Sequence, residues 1–212
     1  EPAGDTIEAR AAVLWVHVGG FTSGDKSEME TMCRYYAARG YVAIAINYRL
    51  VNSGDRQNLG ATYAGSDTQA AIRWLRTQAS ALRIDTSKIA LCGNSSGGYA
   101  VLGAAYDQSL KVHNPNNPGI PYNVAACVDV SGRLYNLPSL EHGEAPMLIH
   151  HGMQDLRVPF AYALQLESAA FTAGVVCETN YYPQSGHTVM RSETDDIMAV
   201  SLDFLYRHMI EE

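Results

Sequence analysis

The chain has 212 residues, 47% of them hydrophobic and 17% charged, enough to bury a sizeable core without disulfide or metal staples. Its 22 acidic and 15 basic side chains give a formal charge of -7, and no basic stripe appears, which argues against a nucleic-acid partner. No apolar run approaches the ~20 residues of a membrane span.

The chain opens at Glu1-Pro2 without a methionine and without a visible signal peptide, which fits a processed or trimmed N-terminus. A secreted or periplasmic location is expected ahead of a cytoplasmic one. In chain order, strand-length apolar runs alternate with amphipathic segments. "AAVLWVHV" (11–18) comes first, then a helix near 27–39, for which Ser27 and Glu30 offer a capping box and Gly40 a C-terminal glycine. "YVAIAINY" (41–48) precedes a helix near 66–80, and "KIALCG" (88–93) precedes one near 96–106. An Asn/Pro-rich surface excursion, "HNPNNPGIPYN" (113–123), leads to "VAACVDVS" (124–131) and "PMLIHHG" (146–152). Pro159 and Gly174 bracket a helix near 159–173, followed by "VVCETNYY" (175–182) and a last helix near 193–210. Strands this continuously apolar are covered on both faces. Six of them alternating with helices predict one α/β domain over 1–212, a doubly wound and mostly parallel sheet with helices on both sides. The four scattered cysteines, Cys33, Cys92, Cys127 and Cys177, include no C-x-x-C pair and read as buried free thiols.

"CGNSSGG" (92–98) places two serines between glycines. Gly93-Asn94-Ser95-Ser96-Gly97 completes a G-x-S-x-G frame, whereas a frame centred on Ser96 would need glycine at Asn94. The frame follows a strand and opens a helix, the context of a nucleophile elbow rather than of a chance Gly/Ser turn. Ser95 is therefore the candidate nucleophile, and Ser96 offers its backbone N–H to an oxyanion.

A serine hydroxyl needs a base. His187, in the polar loop "QSGHTV" after the last strand, is the candidate. His17, His150 and His151 lie at strand ends, His208 within a helix, and His113 and His142 in loops with no pattern around them. Asp155, in "HHGMQDLRVP" just beyond a strand, is the candidate orienting carboxylate. Its rivals are Asp129, inside the preceding strand, and Asp195 or Asp196, which suit a helix start. The order Ser95, Asp155, His187 is that of an α/β-hydrolase triad. A fourth requirement, an oxyanion hole, is met by the glycine-rich "HVGGF" (17–21), which is expected to meet the elbow where the winding of the sheet reverses.

"HVGGF", "GDKS" (24–27), "ARGYVAIAINYRL" (38–50), "AAIRWLR" (70–76), "CGNSSGG", "HGMQDLRVP" and "SGHT" follow in the order and spacing of one family. The sequence resembles bacterial α/β-hydrolase esterases of the hormone-sensitive-lipase-like and feruloyl/acetylxylan esterase-like group, over nearly the whole chain. The resemblance implies that Gly19, Gly20 and Ser96 donate the oxyanion-hole N–H groups. It also implies a serine carboxylesterase acting on short-chain acyl or aryl esters, small or polysaccharide-linked, with no metal and no cofactor. Val18 stands where the family loop has its first glycine. The family's opening hairpin has no counterpart, and "GRLYNLPSLEHGEA" (132–145) replaces a helical cap, so an open site is expected, with Tyr135 a candidate for its wall. The alternatives are a prolyl-oligopeptidase-like peptidase and a non-catalytic binding module on a hydrolase scaffold.

Overall fold

The computed structural model describes residues 6–55, 59–113 and 116–211. Six strands form one parallel sheet: β1 (Arg10–Val16), β2 (Val42–Ile46), β3 (Ile84–Asn94), β4 (Ala126–Val130), β5 (Met147–Gly152) and β6 (Cys177–Tyr182), in the order β2-β1-β3-β4-β5-β6. The chain leaves β1 toward β2, crosses back, and continues outward from β3. The winding therefore reverses between β1 and β3, where such sheets place their ligands.

Alternation along each strand sends side chains to two separate cores. Ala12, Leu14 and Val16 of β1 join α2 (Ala61–Thr77), α4 (Ser96–Tyr106) and α5 (Ala161–Ala173) on one face. Ala11, Val13 and Trp15 join α1 (Glu30–Ala37) and α7 (Thr194–Met209) on the other. This double covering is why the strands read as unbroken apolar runs. Two short helices, α3 (Ala79–Leu82) and α6 (Val189–Ser192), lie between these elements, and residues 132–145 carry only the 3-10 turn Leu137–Ser139 rather than a cap helix.

Two local expectations are corrected. The capping box lies two residues upstream: Asp25 Oδ1 accepts from Ser27 N at 2.9 Å and Glu28 Oε1 accepts from Asp25 N at 3.0 Å, starting a 3-10 turn (Lys26–Met29) that leads into α1. Helix α2 begins at Ala61, not near 66, because Gly65 is no break. A Cβ there would sit 2.6 Å from Leu110 Cδ1, so the glycine lets α2 lie close against its neighbour. Of the four free cysteines, Cys92 and Cys127 are buried but Cys33 and Cys177 only half-buried. Asn114 and Pro115 of the Asn/Pro-rich stretch, and Glu1-Pro2, lie outside the described residues. Among the described residues, no helix is long and apolar enough to cross a membrane.

His150 is fully buried between Tyr182 Oη (3.1 Å from Nδ1) and Ser201 Oγ (3.0 Å from Nε2), and burial lowers its pKa to about 4. Below pH ~6.5 the unfolded imidazole takes up a proton that the folded one refuses until about pH 4. Stability should therefore fall as pH drops through that window, by up to about 1.4 kcal/mol per pH unit. Urea midpoints measured from pH 7 to pH 4 should fall more steeply for the wild type than for His150→Gln. Parallel slopes would contradict the assignment.

Candidate active site

Strand β3 ends at Asn94 and α4 starts at Ser96, so Ser95 is the single residue of the turn between them. Its φ of 53° and ψ of -118° are strained for a side-chain-bearing residue, and Ser95 N donates to Val130 O at 2.8 Å to hold the turn. Glycine is needed on both sides. A Cβ at Gly93 would lie 2.2 Å from Gly97 O, and one at Gly97 would lie 2.1 Å from Val16 O of β1. The strain presents Ser95 Oγ at the C-terminal edge of the sheet, in an open cleft of about 1000 Å³ that His187 also lines.

The loops after β5 and β6 bring the other two side chains. Gln154 N donates to Ser185 O at 3.0 Å and Gln154 Nε2 to Pro183 O at 3.0 Å, strapping one loop to the other. Asp155 is buried; its Oδ1 accepts from Arg157 N (2.8 Å) and Val158 N (2.9 Å), which leaves Oδ2 to accept from His187 Nδ1 at 2.7 Å. With its proton on Nδ1, His187 turns a lone pair on Nε2 toward Ser95 Oγ, 2.8 Å away. Buried His151 stands behind this pair, donating from Nε2 to Val158 O at 2.9 Å; burial lowers its pKa and favours the neutral ring.

The rival acids lie elsewhere. Asp129 is buried in β4 with Oδ1 against Gly98 and Gly132, its Oδ2 accepting from Gly132 N at 3.2 Å. Desolvation pushes its pKa well above the carboxylate range. Asp196 accepts from Tyr182 Oη (2.8 Å) and Asn180 Nδ2 (2.9 Å), tying α7 to β6, and Asp195 opens the same helix.

A family model for BD-FAE matches residues 2–142, which is most of the chain. The chain belongs to the BD-FAE family. A prolyl oligopeptidase family model also matches, over residues 128–211. The BD-FAE chain is 37% identical over 98 residues to an ethyl acetate hydrolase of Pseudomonas putida, covering 46% of this chain and 29% of that protein. It is 30% identical over 99 residues to a phenmedipham hydrolase of Pseudarthrobacter oxydans, covering 46% and 20%. The matched stretch is thus under a third of either relative's length. Among solved structures, a butyrate-bound Thermogutta terrifontis esterase superposes with a TM-score of 0.87 at 23% identity, covering 100% of this chain and 89% of that one. The propionate-bound form gives 0.86 at 25%, covering 98% and 87%. The six-stranded α/β-hydrolase architecture is therefore shared.

The glycine loop of the BD-FAE chain differs in one respect from expectation. Gly19 and Gly20 take positive φ (128° and 59°), while Val18 does not, so the valine fits without strain. Gly20 N, however, donates to Ser96 Oγ at 3.0 Å and is engaged by the protein itself. Ser96 Oγ in turn lies 3.0 Å from Tyr48 Oη, which reaches His17 O at 3.3 Å while the Tyr48 and His17 rings stack 4.3 Å apart. The second serine of the pair is thus a buried bridge between the elbow and the β1 loop. Nothing local in the sequence signals that role, because Gly20, Tyr48 and Ser96 come from three distant segments. The Ser96 N–H itself, in the first turn of α4, has no intrahelical acceptor.

Proposed function

We propose that the protein is a serine carboxylesterase that hydrolyses short-chain acyl or aryl esters through an acyl-enzyme. The observation that carries this is the chain of contacts from Ser95 Oγ to His187 at 2.8 Å and on to Asp155 at 2.7 Å, open to a cleft. Ser95 Oγ attacks the ester carbonyl carbon while His187 Nε2 takes its proton. The carbonyl π electrons move to oxygen, and the N–H groups of Gly19 and Ser96 receive that charge. The tetrahedral species collapses, the C–O bond to the alcohol breaks, and His187 returns the proton to the leaving oxygen. Water, deprotonated by His187, then releases the acid and restores Ser95. Asp155 keeps the Nδ1 proton in place throughout and stabilises the imidazolium formed when Nε2 takes the second proton. No metal or cofactor is needed for any step.

Two relatives favour short acyl groups: one is named for ethyl acetate and the other binds butyrate or propionate. Acetyl or feruloyl groups on plant polysaccharide are the natural substrates we favour, given the family and the open cleft. The match of the C-terminal part to prolyl oligopeptidases supports a peptidase as the second reading. A panel of p-nitrophenyl acetate, p-nitrophenyl butyrate, methyl ferulate, acetylated xylan and a proline p-nitroanilide separates the two. Rapid turnover of the esters with the anilide inert is expected; the opposite ranking would favour the peptidase, and no turnover at all a binding module.

With the Gly20 N–H occupied, the oxyanion donors are Gly19 and Ser96. A Cβ at Gly19 would lie 1.9 Å from Ser23 O, and its φ of 128° excludes most side chains. Gly19→Val should displace the donor and lower kcat by roughly 10²–10³, with a smaller change in KM. Kinetics on p-nitrophenyl acetate, with thermal unfolding of the variant as a control, check this; wild-type kcat would place the donors elsewhere.

A further inference from the structure

The cleft around Ser95 does not end at the triad. Tyr99, Tyr135 and Arg157 line it and also line an adjoining lobe of about 580 Å³, whose floor includes Arg133 and Tyr162. Arg133 comes from the segment that replaces a cap, and its guanidinium carbon lies 3.7 Å from the centroid of the Tyr162 ring and 4.9 Å from that of Tyr135. Among the described residues, that guanidinium has no carboxylate or carbonyl partner, and the Arg157 side chain has none either.

Most of the other described arginines are engaged: Arg10, Arg39, Arg73 and Arg76 each donate to a backbone carbonyl. Arg34, Arg49 and Arg207 each meet a carboxylate within 3 Å, as arginines in an acidic protein ordinarily do. The two-lobed cleft reverses the balance of the whole molecule, with Arg133, Arg157 and Arg191 against Glu28 and Asp107, in a chain of formal charge -7. Asp107 already spends Oδ1 on Ser109, accepting from its N at 3.0 Å and its Oγ at 2.6 Å. A guanidinium held against aromatic rings is preorganised, and its planar N–H fork matches a carboxylate bidentately. Partial burial in a concave lobe reduces the screening that weakens such pairs on an open surface.

We propose that this second lobe binds a carboxylate carried by the ester substrate, with Arg133 as its principal contact and Arg157 at the junction of the two lobes. The inference rests on the esterase function proposed above. The carboxylate can belong to the acyl group or to the alcohol, and two pairs of near-isosteric substrates distinguish these. On the acyl side, p-nitrophenyl hydrogen adipate is compared with p-nitrophenyl hexanoate; on the alcohol side, 4-acetoxybenzoate with 4-methylphenyl acetate.

In one of the pairs, kcat/KM for the carboxylate ester should exceed that of its neutral twin by about tenfold, the size of a single well-placed charge-assisted contact. The preference should shrink in 0.5 M NaCl. Arg133→Gln should lower kcat/KM for the carboxylate ester about tenfold more than for the neutral one, and Arg133→Lys should recover only part of that difference. Hydrolysis of the neutral esters with no carboxylate preference in either pair would overturn this inference and leave the esterase function standing. Equal losses on both members of the pair in Arg133→Gln would overturn it as well. Turnover of none of the four esters would overturn the esterase function and this inference with it.

Discussion

Ser95→Ala should lower kcat on p-nitrophenyl acetate by on the order of 10⁶-fold, with the fold intact and KM little changed. The side chain is half-buried, its removal opens no cavity in the core, and the strained turn is held by backbone contacts that alanine keeps: Ser95 N to Val130 O, and Tyr99 N to Ser95 O at 3.0 Å. Residual activity should reflect only binding and the backbone N–H groups that remain. Ser96→Ala should behave differently. It keeps the backbone N–H but orphans the Gly20 N–H and leaves the Tyr48 hydroxyl with His17 O alone, a buried polar loss of about 1–3 kcal/mol in stability, with a milder kinetic defect. Stopped assays on the purified variants, with thermal unfolding alongside, separate the two serines. Equal kinetic loss in both would contradict this division of roles.

Asp155→Asn should cost about 10⁴-fold in kcat. The two backbone bonds to Oδ1 can survive in asparagine, so the loop stays put. What changes is the face turned to His187, where an amide cannot hold the Nδ1–H tautomer as a carboxylate does, and Nε2 loses its lone pair toward Ser95. Asp129→Asn makes the contrast. Asp129 is fully buried with its side chain against Gly98 and Gly132, burial pushes its pKa up, and an amide can keep the bond accepted from Gly132 N, so activity should stay within about tenfold. Steady-state kcat for both variants decides it, and a crippled Asp129→Asn beside an active Asp155→Asn would reverse the assignment.

Much of the fold is legible in the sequence. The β-branched apolar runs are strands because a sheet with helices on both faces leaves them no exposed side, while the point where the winding turns back is set by the strand order β2-β1-β3-β4-β5-β6, which alternation alone does not fix. Ser95 is readable because the elbow needs glycines at both Gly93 and Gly97 and a strand before it. His187 and Asp155 are readable from the ends of the strands they follow. That all three side chains converge within hydrogen-bond reach is a property of the loops strapped together at Gln154, Pro183 and Ser185, which no local pattern encodes. The misplaced features share a cause. Ser27 has the look of a cap, but Asp25, two residues earlier, satisfies the same rule, and local preference cannot choose between them. The early start of α2 is hidden because Gly65 lies inside the helix, and its reason for being glycine, the approach of Leu110, lies far along the chain. The Ser96 bridge and the Arg133 lobe depend on segments that meet only in the folded sheet.

Everything proposed for the reaction depends on Ser95 being the nucleophile and Ser96 its structural neighbour. A fluorophosphonate probe followed by peptide mass spectrometry tests this most directly, because the covalent adduct records which oxygen attacked. The adduct should map to Ser95, form in the wild type and in Ser96→Ala, and be absent from Ser95→Ala. An adduct on Ser96, or labelling that survives Ser95→Ala, would contradict it.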